Sequence, residues 1–154
     1  MKKVIIVLAI MAVLLTGTAF AYTLPTVNGT HVNVRRAPKI TAGVMYQLNS
    51  GNYGKIIEVH KNPGEEYPWY KFVSSEYDVN AGWIYGQYVN IYKSYISGSR
   101  VNMRQGPSKK AGVLYCFPRY EDVWVLGNAT YYDGTWVYIY YKGKYGWVSA
   151  QYVQ

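Results

Sequence analysis

Beyond residue 21 the chain alternates short runs rich in Val, Ile, Tyr and Trp with Gly, Asn, Pro and Asp, and no stretch keeps apolar residues at helical spacing. This pattern predicts an all-β protein. Strands are expected near Val32 to Arg35, Gly54 to His60, Trp69 to Val73, Ala81 to Ile84 and Val89 to Tyr92. A second set is expected near Val101 to Arg104, Val123 to Leu126, Trp136 to Tyr141, Tyr145 to Val148 and Tyr152 to Gln154.

The two sets are copies of one another. Val27 to Pro38 reads V-N-G-T-H-V-N-V-R-R-A-P, and Ile96 to Pro107 reads I-S-G-S-R-V-N-M-R-Q-G-P, at a constant offset of 69 residues. Farther along, Trp69 matches Trp136 at 67, Gly82-Trp83-Ile84 matches Gly146-Trp147-Val148 at 64, and Gln87-Tyr88-Val89 matches Gln151-Tyr152-Val153 at 64. The offset changes only across turn-rich segments, where length varies most freely. An internal repeat sets the number of folding units. Here it gives two, over residues 22–93 and 94–154, each a small barrel of about five strands.

Side chains alternate across a strand, so the repeats also assign faces. In Trp69-Tyr70-Lys71-Phe72 and Trp136-Val137-Tyr138-Ile139 the second and fourth positions are apolar in both copies, whereas the third is Lys in one and Tyr in the other. Tyr70, Phe72, Val137 and Ile139 are therefore expected inside, together with Val32, Val34, Ile84, Val101, Met103 and Val148. Trp69, Lys71, Trp136 and Tyr138 are expected to face outward.

Composition adds a compartment. Lys2 and Lys3, the apolar run Val4 to Leu15, and Ala19-Phe20-Ala21 form the basic, apolar and small-x-small parts of a secretory signal peptide cut after Ala21. The apolar run falls short of the ~20 residues that span a bilayer, and no second such run follows, so no transmembrane segment is expected after cleavage. Loss of Lys2 and Lys3 lowers the formal charge from +8 to +6. A scattered positive charge of that size outside the cytoplasm favours wall polymers, acidic glycans or lipid head groups over nucleic acid. Cys116 is the sole cysteine, which excludes an intramolecular disulfide. It lies in the strand-like run Val113 to Phe117, where a buried thiol is expected, with intermolecular pairing as the second reading.

The order apolar-Asn-Val/Met-Arg-x-Gly/Ala-Pro, then Trp-Tyr-Lys-Phe or Trp-Val-Tyr-Ile, then Gly-Trp-Ile/Val and a closing Tyr-Val, resembles the bacterial SH3 domain in both copies. The first copy departs by having Ala37 where the second has Gly106. The resemblance implies SH3-like barrels that bind cell-wall peptidoglycan or peptides and do no chemistry. By analogy with the related eukaryotic domains, it also places ligands across Trp69 with Tyr88 and across Trp136 with Tyr152.

Aromatic faces stack on sugar rings or proline and supply phenol hydroxyls, which makes Trp69, Tyr67, Tyr88, Trp136, Tyr132, Tyr138 and Tyr152 the candidate ligand-binding residues. Tyr88 and Tyr152 have a structural reading too, as the residues that close each barrel. Asn33, Arg35, Asn102 and Arg104 read first as structural: Asn at a turn, and Arg laying its stem across the barrel while bonding loop carbonyls. The loops Lys61 to Pro68 and Ser74 to Asp78 in the first copy differ from Pro118 to Asp122 and Asn128 to Gly134 in the second.

An enzyme reading finds little support, because His31 and His60 lie in the first copy and Cys116 in the second, and no His/Cys set has metal-ligand spacing. The expectation is an exported, non-catalytic, monomeric protein of the cell envelope without cofactor or metal. Its expected partner is peptidoglycan or a wall-associated protein. The alternative is an envelope adaptor that binds an extended or proline-containing peptide.

Overall fold

The computed structural model describes residues 22–75 and 80–154. The expected signal peptide, and Glu76 to Asp78 of the Ser74 to Asp78 loop, lie outside the described residues.

The β-branched and aromatic runs form two large antiparallel sheets that share one five-strand order, and a two-stranded third. In the first, β2 (Val32–Arg35), β3 (Val44–Leu48), β4 (Gly54–His60), β5 (Trp69–Ser74) and β6 (Gly82–Tyr85) lie in the order β3-β2-β6-β5-β4. A 3-10 turn at Gly86–Tyr88 leads into β7 (Val89–Asn90), which pairs with β1 (Thr26–Val27). Thr26 also bridges to Tyr53 beside β4, so the short strand lies between β7 and the start of β4.

The second copy repeats this. β9 (Val101–Arg104), β10 (Val113–Phe117), β11 (Asp122–Tyr131), β12 (Gly134–Tyr141) and β13 (Lys144–Ser149) run in the order β10-β9-β13-β12-β11, and β8 (Tyr92–Tyr95) is added along β11. Ile96 bridges to Val153, the equivalent of the β1-β7 pair.

Several strand expectations need correction. The strand expected over Val89 to Tyr92 is divided: β7 stays with the first sheet and β8 joins the second. The strand expected at Tyr152 to Gln154 is instead a 3-10 turn over Ala150–Tyr152 followed by the single bridge at Val153. Val44–Leu48 is a strand that the pattern did not predict. The expected loop Asn128 to Gly134 is mostly hairpin, because Thr130 and Tyr131 continue the β11 ladder against Thr135 and Gly134. Only Tyr132 and Asp133 turn, and Gly134 relieves the corner at φ 126.

The cores follow the predicted faces. Val32, Val34, Phe72 and Ile84 are buried in the first barrel, and Val101, Met103, Val137, Ile139 and Val148 in the second. Tyr70 is only half-buried: its hydroxyl needs a wet or polar neighbour, and its ring sits at the edge of the core. Cys116 is exposed, contrary to expectation, since Phe117 and Tyr115 take the inward positions of β10 and alternation turns the residue between them outward.

The barrels pack against each other through a bulge. The β11 register shifts between Val125 and Gly127, which leaves Leu126 as an additional residue and re-aims it. Leu126 is 1% exposed and belongs to the core cluster of the first barrel, beside which Tyr138 and Tyr140 also pack. Gly127 lets the strand approach, since a Cβ there would stand 3.0 Å from Lys55 Cβ. At the other end of the chain, Tyr22 packs against the second core and accepts a 3.0 Å hydrogen bond from Asn128 Nδ2. Burial raises the Tyr22 phenol pKa above its ordinary value.

Candidate functional site

Each barrel carries a groove built from the same repeat positions. In the first it is lined by Thr30, His31, Asn33, Arg35, Trp69 and Tyr88, with Ile40 and Tyr85 at the rim. In the second it is lined by Ser99, Arg100, Asn102, Arg104, Trp136 and Tyr152, with Lys109 and Ser149 at the rim. The cavities are about 170 and 230 Å³.

The opening motif sets one wall. Gly29 and Gly98 bear the closing tyrosines directly: a Cβ would lie 3.3 Å from Tyr88 Cδ1 in one copy and 2.8 Å from Tyr152 Cδ1 in the other. That contact stands each phenol ring up as a wall, 39% and 36% exposed. Two residues later the chain passes through left-handed backbone at His31 (φ 54) and Arg100 (φ 57), an uncommon conformation for a residue other than glycine. It turns the chain into β2 and β9. Arg35 and Arg104 then donate from Nη1 to the carbonyls of Ala42 and Ala111, at 2.7 Å in each copy. These bonds fit the structural reading of both arginines, and they hold the turn of the Pro38 and Pro107 segments in place. Asn33 Oδ1 accepts from Gln47 Nε2 at 2.9 Å across the β2-β3 pair.

Trp69 and Trp136 form the floors. They lie on the outer face of their strands, but they are 2% and 3% exposed, so the expectation of outward, solvent-facing indoles is corrected. Alternation gives the side of the sheet, while neighbouring segments decide what covers that side. Tyr85 packs on Trp69 at 5.2 Å between ring centroids, and Arg35 lies in the same groove.

Each indole N–H is also pinned to a carboxylate from the preceding turn, Trp69 Nε1 to Glu65 at 2.6 Å and Trp136 Nε1 to Asp133 at 3.0 Å. The Lys109 backbone N–H, then Trp136 and Ser108, hold the Asp133 carboxyl below its usual value. Asn62 braces the first of these turns, donating to Pro38 O at 2.8 Å and to Glu65 at 3.2 Å. From the sequence Glu65 and Asp133 read as solvated loop acids rather than partners of the indoles. Their signal was an acid three or four residues ahead of each matched Trp.

The remaining candidates fall elsewhere. Tyr67 sits edge-on to Tyr85 at 5.8 Å and lines a cleft between the barrels. Tyr138 packs at a tilt on Trp147, 5.0 Å between ring centroids, and faces the first barrel rather than the second groove. Tyr132, at the tip of the β11-β12 hairpin, is 82% exposed and lines neither groove. The interbarrel cleft, about 530 Å³, was not foreseen, because its walls come from both copies: Tyr67 and Tyr70 from the first, Trp124, Tyr140 and Tyr145 from the second. Burial, and then Tyr145 and Tyr140, push the Tyr70 phenol up to about 12.

The groups of the enzyme reading are dispersed. His60 Nε2 shares a 2.8 Å hydrogen bond with Asn62 and its ring lies edge-on to Trp83, His31 occupies the first groove, and Cys116 is on β10. Among the described residues, no three His, Cys, Asp or Glu side chains gather as a metal site, and no helix is long and apolar enough to cross a membrane.

No curated protein matches the chain. Two solved structures, of NlpC2 and NlpC1 from Trichomonas vaginalis, share 16% identity with it at a TM-score of 0.48. The matches cover 89% and 90% of this chain and 49% and 48% of those proteins, so the chain spans about half of their length. Residues 99–154, which carry the second groove, match the family model of the bacterial SH3 domain.

Proposed function

We propose that this chain is an exported, non-catalytic binding protein that recognises cell-wall peptidoglycan through its two grooves. The observation that carries the reading is the recurrence of one groove in both barrels: a pinned Trp floor, an exposed Tyr wall, and Asn and Arg at matched positions. An exposed phenol beside an indole offers a stacking surface and a hydroxyl, the chemistry that a sugar ring or an amide plane accepts. Shallow grooves of this kind bind weakly one at a time, and two in a single chain raise avidity on a polymeric, insoluble ligand. The +6 charge of the mature chain adds attraction to an anionic wall.

The test is sedimentation of residues 22–154 with purified insoluble cell wall at low salt. The protein should pellet. Tyr88→Ala plus Tyr152→Ala should leave it mostly in the supernatant with the β-sheet circular dichroism unchanged. Loss of two aromatic contacts at about 0.5–1.5 kcal/mol each weakens binding roughly tenfold to a hundredfold. The tyrosines are the informative pair, because replacing the buried Trp69 or Trp136 would damage the fold as well. If the unmodified protein stays in the supernatant, the wall reading fails.

A further inference from the structure

The grooves share their floor and differ in charge or size at three matched positions of the lining and rim. His31 of the first corresponds to Arg100 of the second, Ile40 to Lys109, and Tyr85 to Ser149. All three exchanges change the chemistry in one direction. Two place a cation where the first groove has an imidazole or an alkyl chain, and the third replaces a phenol ring by a hydroxyl in the larger of the two cavities, about 230 against about 170 Å³.

Each groove keeps one carboxylate at its indole N–H, Glu65 or Asp133. In the first groove Arg35 alone stands against Glu65, with His31 beside it. Arg100, Arg104 and Lys109 against Asp133 leave the second with two positive charges. Asp133 is itself engaged, accepting from the Lys109 backbone N–H at 2.8 Å and from Trp136 Nε1 at 3.0 Å, so its oxygens are already occupied as acceptors within the floor. Arg104 is oriented through its bond to Ala111 O and has further N–H donors. Ser149, Gln151 and Asn102 add neutral hydrogen-bonding groups to the lining.

We infer that the second groove is an oxyanion site, taking a carboxylate or phosphate group of the ligand between Arg100, Arg104 and Lys109, whereas the first groove takes an uncharged portion. This rests on the groove assignment above and gives the two copies different ligand chemistry. Guanidinium forks match the two oxygens of a carboxylate or phosphate, and Lys adds a mobile point charge. In the first groove, Ile40 is 68% exposed and Tyr85 narrows the space, which suits an apolar or neutral group.

The swap Arg100→His plus Lys109→Ile gives the second groove the first groove's residues at the two positions where charge differs. Fold damage is minimised by design, since both positions are exposed and His31 already occupies the same left-handed backbone. The direct test is a titration of residues 22–154 that follows the indole N–H resonances of Trp69 and Trp136. Soluble N-acetylalanine, its neutral amide and glycerol phosphate serve as probes. An oxyanion should shift the Trp136 signal and leave Trp69 in place, the neutral amide should leave Trp136 unshifted, and the swap should weaken the Trp136 response on the order of tenfold. N-acetylalanine against glycerol phosphate distinguishes a carboxylate source from a phosphate one.

The reciprocal change, His31→Arg plus Ile40→Lys, should make Trp69 respond. If neither indole responds, if both respond alike, if the amide acts as well as the acid, or if the swap leaves the response intact, the inference is overturned. The soluble probes make this outcome independent of whether the protein sediments with wall. On wall, the swap should also reduce the salt sensitivity of binding, because the charges it removes are the screened part of the interaction.

Discussion

Leu126 and Ile57 stand at the same position of the repeat, 69 residues apart, each as the additional residue of a β-bulge. Their surroundings are opposite. Leu126 is 1% exposed inside the cluster that holds Ile56, Phe72 and Val89 of the other barrel, whereas Ile57 is 50% exposed. Burying a leucine contributes about 1.5–3 kcal/mol, and truncation adds a cavity term, so Leu126→Ala should cost roughly 2–5 kcal/mol. Ile57→Ala, at an exposed position, should cost about 0.5 kcal/mol. For a chain of this size 1 kcal/mol is worth roughly 4 °C in Tm, which puts Leu126→Ala about 8 °C or more below the unmodified protein.

The loss also falls on coupling. Units of this size are marginal alone, and Leu126 is a core residue of the barrel to which it does not belong. Scanning calorimetry of residues 22–154 should therefore show one transition for the unmodified protein and a lower, broader or divided one for Leu126→Ala. Equal shifts for the two variants, or a Leu126→Ala shift under about 2 °C, would refute the reasoning that the bulge joins the barrels.

Three further outcomes are expected. Gly82 and Gly146 let β6 and β13 approach the opening strands: a Cβ would stand 2.3 Å from Val34 Cγ1 in one copy and 2.6 Å from Met103 Cγ in the other. Either Gly→Ala change should therefore cost about 1–3 kcal/mol in urea unfolding. The Tyr70 phenol, raised from 10.0 to about 12, keeps its proton in the folded state after the unfolded chain has lost it. Its contribution is thus complete below pH 10 and lost as pH rises toward 12, and Tyr70→Phe should flatten that limb of the stability profile; an unchanged alkaline limb would contradict the assignment. Cys116 should react with iodoacetamide in the folded protein at nearly the rate of the unfolded chain, and labelling only after denaturation would contradict its exposure.

The repeat made much of this architecture legible before any coordinates. Val32–Arg35 and Val101–Arg104 are strands with the predicted bounds, because each alternates cleanly between turn residues, and Gly54–His60 keeps its predicted bounds although the bulge at Ile57 interrupts its alternation. The missed strand Val44–Leu48 and the misread thiol of Cys116 share a cause. Both lie in edge strands written as nearly continuous apolar runs, where periodicity carries no parity signal and only the packed partner shows which residues turn inward. Leu126 was hidden for a different reason: a bulge inverts parity midway along a strand, and period-2 reasoning carries the wrong face past it.

The floors of the grooves show what the sequence could hold without displaying. Glu65 stands four residues before Trp69 and Asp133 three before Trp136, on turns of different length, and yet both carboxylates reach the indole N–H. Different sequences thus arrive at one geometry, which marks the pinned indole as a fixed part of the groove. The alignment of the copies shows only the shared Trp, and the shared partner emerges in three dimensions. With floor, Tyr wall and Arg brace held constant, the copies differ where a ligand would meet the rim, at His31 and Arg100, Ile40 and Lys109, and Tyr85 and Ser149. Under the proposed wall-binding function, a duplicated unit that preserves its frame and changes residues around its groove has the means to recognise two parts of one ligand.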